Sequence, residues 1–162
     1  MRDDNERIKY AQWVLERTLA AIGAAEVKLS VVTTINLAML GGLGTAFTPN
    51  QSIQDWHLLY AIVASTTIFA SLICCALALI PRMQGPERSF IFFGRIGKRP
   101  QKTYFTDFSQ AGEDAILNDL LAQIHRNSEI ACKKFDLVRI SMLWSFVSIS
   151  PWFLSIITVL YK

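Results

Sequence analysis

Three stretches of the chain contain no charged residue: Leu29 to Gln54, Leu58 to Ile80 and Ile140 to Tyr161. Each supplies the roughly 20 residues that an α-helix needs to cross a ~30 Å hydrocarbon core. A buried helix of a water-soluble protein rarely runs so far without a charge. The pattern therefore predicts three transmembrane helices, over 29–47, 58–80 and 140–161. Between the first two, Thr48-Pro49-Asn50-Gln51-Ser52 is a breaker cluster, which predicts a turn over 48–57 and a helical hairpin on either side of it.

The flanking segments carry a helical pattern of their own. Ile8, Leu15, Leu19, Ile22 and Leu29 recur at spacings of seven, four, three and seven, an apolar stripe on a helix over 1–28 with no breaker before the first span. Ile116, Leu120, Ile124, Ala131, Phe135 and Val138 form a second stripe that leads into the third span. Such stripes need partners, either each other or neighbouring subunits. Between Pro81 and Gly112 the chain is broken repeatedly by Gly and Pro, yet it holds Phe90, Phe92, Phe93, Tyr104, Phe105 and Phe108. That apolar content predicts a packed loop or short hairpin in place of a disordered linker. The fold class expected is all-α: a multi-pass membrane protein with three transmembrane helices, two of them extended by cytoplasmic helices, in one domain over 1–162.

Charge sets the expected orientation. Arg2, Arg7, Lys9, Arg17 and Lys28 precede the first span, and ten Lys and Arg residues from Arg82 to Arg139 separate the second from the third, whereas 48–57 has none. By the positive-inside rule the N-terminus and 81–139 are cytoplasmic and the C-terminus lies outside. Trp56, Tyr60, Trp152 and Tyr161 are then outer interface anchors, with Trp144 near the inner side. No short apolar core precedes a small-residue cleavage site, so no cleavable leader is expected. The three cysteines do not suggest a disulfide framework.

Catalytic and metal chemistry are not legible in the chain. The two histidines, His57 and His125, have no paired metal-ligand spacing, no nucleophile motif is present, and Gly97-Lys98 lacks the upstream glycine of a phosphate loop. The expectation is a protein that is not an enzyme, has no cofactor and no metal, and does not bind a nucleic acid polymer. Gly41, Gly42 and Gly44 in the first span predict close helix packing or a kink, and Ala61, Ala64 and Ser65 add small residues in the second.

The informative polar residues share one face of the first helix. Glu26, Thr33 and Asn36 lie on the stripe of Leu29 and Leu40, at the membrane boundary and within the span. A carboxylate there needs a partner, and Lys133, Lys134 and Arg139 stand at a similar depth, so a structural ion pair or a ligand-sensitive latch is expected. Asn36 is expected to hydrogen-bond between helices. Gln123, Asn127 and Lys134 form a polar stripe, either a solvated face or a site for a polar ligand, since amides read base edges and Lys meets phosphate. The basic cluster Arg95, Lys98, Arg99 and Lys102 is suited to anionic lipid head groups or to the same ligand.

Three segments together resemble a known family. "AAEVKLSVVTTIN" (24–36) looks like the opening signature of the Pycsar effector membrane family, with Glu26, Lys28 and Asn36 at the family's acid, Lys and Asn positions. That acid is usually Asp, where this chain has Glu26. "FIFFGRI" (90–96) resembles the family's Phe-Phe-Gly element, and "LAQIHRNSEIACKKFDLVRISMLW" (121–144) its helix into the last span. The resemblance implies a bacterial anti-phage effector of the inner membrane. It would respond to a cyclic pyrimidine mononucleotide such as cUMP or cCMP and impair the membrane as a homo-oligomer. Arg95, Lys98, Arg99, Gln123, Asn127 and Lys134 are the candidate ligand-binding residues. Glu26, Lys28, Asn36 and Arg139 are the candidate gating or structural polar residues. The alternatives are a nucleotide-independent membrane scaffold and a small holin-like pore.

Overall fold

The computed structural model describes residues 4–46, 55–81, 85–86 and 89–160. The breaker cluster 48–52, Arg2, Arg82, Arg88, Tyr161 and Lys162 lie outside the described residues. The fold is all-α, with five helices among the described residues: α1 (Asp4–Ala46), α2 (Asp55–Leu79), α3 (Phe93–Ile96), α4 (Gln101–Gln110) and α5 (Glu113–Leu160). α1, α2 and α5 are each long and apolar enough to cross a membrane, with mean hydropathies of 1.4, 2.3 and 1.7 in their most apolar windows. Gly23, Gly41, Gly42 and Gly44 do not interrupt α1, and Pro151 lies within α5. Where the breaker-rich segment could have formed a hairpin, it forms α3 and α4. From Phe92 to Ala111 local backbone bonds such as Gly97 N to the Phe93 carbonyl and Tyr104 N to the Pro100 carbonyl take the place of a strand partner.

Contacts divide the chain into two units, Met1–Ala24 with Pro81–Lys133, and Ala25–Ile80 with Lys134–Lys162. In the second unit the buried positions follow one rule. They are Ala25, Leu29, Val32, Asn36, Met39 and Leu43 on α1, and His57, Ala61, Ala64, Ile68, Ser71, Cys75 and Ala78 on α2. On α5 they are Lys134, Val138, Ser141, Ser145, Ser148 and Ser155, with half-buried Trp152 filling the place between the last two. Spacings alternate between four and three, an average of 3.5, the repeat that keeps one seam of each helix facing its neighbours in a left-handed bundle. The outward faces of these helices, with Leu37, Phe69, Ile73 and Phe146 among their residues, are apolar and exposed. That is the arrangement expected where the surrounding solvent is hydrocarbon.

In the first unit Ala11, Leu117 and Leu120 are buried together, with Ile8, Leu15, Ile116 and Ile124 packed against them. The two apolar stripes thus cover each other over 8–15 and 116–124. Two members of the expected stripes depart from this, since Leu19 and Phe135 are exposed. Ala11 and Leu117, which the stripes omitted, take core positions, where the small Ala11 lets the helices approach and Leu117 supplies apolar bulk.

Candidate functional site

The second unit is held by a polar knot at mid-span. Asn36, fully buried, donates from Nδ2 to Ser71 Oγ at 2.7 Å and accepts at Oδ1 from Ser145 Oγ at 3.0 Å. Ser71 Oγ in turn donates to the backbone carbonyl of Ser141 at 2.7 Å. One amide therefore links α1, α2 and α5. Within a membrane each such bond contributes about 0.6–2 kcal/mol, a modest figure because the separated helices find other partners. Two turns beyond Ser145 on α5, Trp152 Nε1 donates to the Met39 carbonyl at 2.8 Å. A Cβ on Gly42 would lie 3.4 Å from the Trp152 ring. Of the three glycines in this segment Gly42 alone packs closely, and nothing lies within 4 Å of a Cβ placed on Gly41 or Gly44.

At the opposite end of the same unit Lys134 Nζ meets Glu26 Oε1 at 2.5 Å. Of the three cations expected near Glu26, Lys134 forms the pair. Its side chain is 7% exposed while that of Glu26 is 50% exposed. The pair is thus a buried ammonium reaching a carboxylate at the margin. Lys28 Nζ stands 5.4 Å from the centre of the Phe135 ring, a cation–π contact, and Arg139 is exposed.

The first unit has its own buried polar centre, which sequence reasoning missed. Asp119 Oδ2 accepts from Ser89 Oγ (3.0 Å), Phe90 N (2.7 Å) and Ile91 N (3.2 Å). Ser89 Oγ accepts from Ile91 N, Phe92 N and Gln123 Nε2, the last at 2.9 Å. α5 thereby clamps the Phe-Phe-Gly segment through two side chains one turn apart. Tyr104 on α4 donates to the Phe90 carbonyl, and Phe90, Tyr104 and Phe108 pack ring against ring. Gly94 is needed here, since a Cβ would come within 2.8 Å of the Phe92 ring.

This geometry alters the reading of the polar stripe on α5. Gln123 is buried and spent on Ser89, so it is not a solvated residue. Asn127 donates to the Gln123 carbonyl, and Lys134 is committed to Glu26. Gln123 and Asn127 belong to the first unit and Lys134 to the second. In the basic cluster, Arg95 lies in α3, Lys98 is exposed, and Arg99 reaches Asp107 at 3.7 Å. Arg99, Asp107, Phe90, Gln110 and Ala111 line a cavity of about 420 Å³. A second, more apolar groove of about 490 Å³ runs along Arg7, Tyr10, Val14 and Leu121. On α5, Arg126 donates to Glu129, and that hydrogen bond, the largest cause, holds the Glu129 carboxyl below its ordinary range.

The row Ser141, Ser145, Ser148, Ser155 was not singled out from sequence. Its spacing of four, three and seven inside a charge-free run is the signal that marks it. No curated protein and no solved structure matches the chain. Comparison with protein families matches the Pycsar effector protein domain over residues 10–161. With the three segments that resemble this family all inside the matched range, and with three helices fit to cross a membrane, the chain belongs to the Pycsar effector family and is an anti-phage effector of the membrane type.

Proposed function

We propose that the protein is closed in the resting cell and is opened by a cyclic pyrimidine mononucleotide such as cUMP or cCMP. Inner-membrane integrity is then lost through a homo-oligomer. The observation that carries this reading is the union in one chain of a Pycsar effector domain with three helices suited to cross a membrane. It requires no catalysis by this chain, only a ligand with different affinities for two arrangements of the helices.

The distribution of Lys and Arg supports a cytoplasmic N-terminus, a cytoplasmic 81–139 segment and an external C-terminus. The ligand would then meet the first unit. The cavity at Arg99 offers what a cyclic mononucleotide needs: a guanidinium for the phosphate, the Phe90 ring for a base face and the Gln110 amide for a base edge. Arg95 and Lys98 flank it on the same segment. Gln123 takes an indirect part, by holding Ser89 behind Phe90. Self-association is supported by the apolar surface that the first unit leaves exposed, Tyr10, Trp13 and Leu121 beside the apolar groove, and Phe105 and Phe108 on α4.

Calorimetric titration of the detergent-solubilised protein with cUMP and cCMP, with its mass measured in the same detergent, tests the reading. Saturable binding of one nucleotide is expected, weakened about tenfold or more, ~1.4 kcal/mol, by Arg99→Ala. The expected mass is a multiple of one chain. Binding of neither nucleotide, or a monomer at micromolar concentration, would contradict it.

A further inference from the structure

α1 and α2 fill the seam of the membrane unit mainly with apolar residues, whereas α5 fills it with serine. Ser141, Ser148 and Ser155 are fully buried, and Ser145 nearly so. Between Ser148 and Ser155 the same face carries Trp152. Serines of this kind are compatible with simple close packing of helices. A second observation points further. Ser71 Oγ bonds the Ser141 carbonyl, which sets the register of the antiparallel helices α2 and α5. Fourteen residues from that point, two full repeats along each helix, bring His57 on α2 level with Ser155 on α5. The groove between the two helices agrees, since Leu59, Tyr60 and Val63 of α2 line it together with Val147, Pro151 and Leu154 of α5. Both His57 and Ser155 are more than nine-tenths buried, and neither His57 Nδ1 nor Ser155 Oγ has a hydrogen-bond partner among the described residues. Buried polar atoms of this kind in hydrocarbon are costly unless water reaches them.

We propose that the α5 serine row, with Asn36, Ser71 and His57, is the path along which water and protons cross when the protein opens, and that Trp152 is its gate. This rests on the reading above that the protein impairs the membrane. In the structure the row is continuous in hydroxyls from Ser141 to Ser148. Trp152 then interrupts it for about 10 Å before Ser155. The indole is held shut by its bond to the Met39 carbonyl and by its seat on Gly42. A hydrophobic ring across a narrow polar seam blocks by excluding water, and a small rotation wets it. Pro151, the preceding residue, cannot donate a backbone hydrogen bond within α5, so the helix is weakest where the ring must move.

The test is proton flux into liposomes holding the full chain and a trapped pH-sensitive dye, under a potassium diffusion potential, with and without cUMP or cCMP. Trp152→Ala is expected to raise flux without nucleotide about tenfold or more, and Trp152→Phe, which keeps an aromatic ring but is smaller and lacks the indole N–H, by less. Ser148→Leu is expected to abolish both the flux of Trp152→Ala and any flux evoked by nucleotide. Val147→Leu, on the exposed face, is expected to leave both unchanged. Helical circular dichroism checks that each variant is folded. A nucleotide-evoked flux that Ser148→Leu does not reduce would overturn the path while leaving the effector reading intact. Flux through Trp152→Ala that Ser148→Leu blocks, in a protein deaf to both nucleotides, would support the path and contradict that reading. A folded Trp152→Ala protein as tight as wild type would overturn the gate.

Discussion

Lys134 Nζ lies 2.5 Å from Glu26 Oε1, and the two residues are separated by 108 positions in the chain. The lysine is buried and the glutamate is half exposed, so the pair joins α5 to α1 by bringing a carboxylate to an ammonium that water barely reaches. Glu26→Ala leaves that ammonium without its partner. We expect a loss on the order of 2–3 kcal/mol, below the figure for a fully enclosed pair because the carboxylate is partly solvated. Thermal melting of the detergent-solubilised protein reads it out, and an unchanged melting temperature would mean that Lys134 finds another partner.

Asn36→Leu keeps the branched shape of the side chain, at a somewhat larger volume, but removes its two hydrogen bonds to α2 and α5. Ser71 retains its bond to the Ser141 carbonyl, so the expected loss is about 1–2 kcal/mol, not collapse. Unfolding by a denaturing detergent should show it. An Asn36→Leu protein as stable as wild type would mean that the knot adds specificity of packing without adding stability.

Asp119→Ala strips the acceptor from Phe90 N and from the Ser89 hydroxyl, while Ile91 N keeps Ser89 Oγ, and each polar group left buried and unpaired costs about 1–3 kcal/mol. Hydrogen exchange at the Phe90 amide is expected to accelerate sharply in Asp119→Ala, with a smaller change at Ile91, and to accelerate less in Asp119→Asn, which retains one oxygen acceptor. Equal protection in all three proteins would show that Tyr104, Phe108 and the Gln123–Ser89 bond hold the segment without Asp119.

Much of this architecture is legible in the residues. The charge-free runs predict α2 and the membrane portions of α1 and α5, and the stripe through Glu26, Leu29, Thr33 and Asn36 identifies the face of α1 that turns inward, with Asn36 at its centre. Other features are hidden for physical reasons. Serine is nearly neutral on a hydropathy scale, so the row from Ser141 to Ser155 reads as part of an apolar run until its spacing is compared with 3.5. Gln123 resembles a solvated residue because its partner, Ser89, lies 34 positions away across a Gly- and Pro-rich stretch. Asp119 escapes notice for the same reason. The helices α3 and α4 lie among Pro and Gly residues that signal interruption, although Pro100 serves as the N-cap of α4 and Gly94 yields space to Phe92.

Topology follows from the Lys and Arg asymmetry. A reporter active only in the cytoplasm is expected to work when fused after Gln101 and to be silent when fused after Lys162, since three spans from an inside N-terminus end outside. Activity at the C-terminal fusion would remove the three-span arrangement.

The central claim is that this chain turns a cyclic nucleotide into loss of the membrane barrier. The most direct measurement uses inverted inner-membrane vesicles from bacteria expressing the protein, whose cytoplasmic face is open to the medium, with a potential-sensitive dye. Vesicles energised by respiration should hold their potential until cUMP or cCMP is added and then lose it, and vesicles lacking the protein should be unaffected. A potential absent from the start would identify an unswitched pore. A potential that survives both nucleotides would contradict the account.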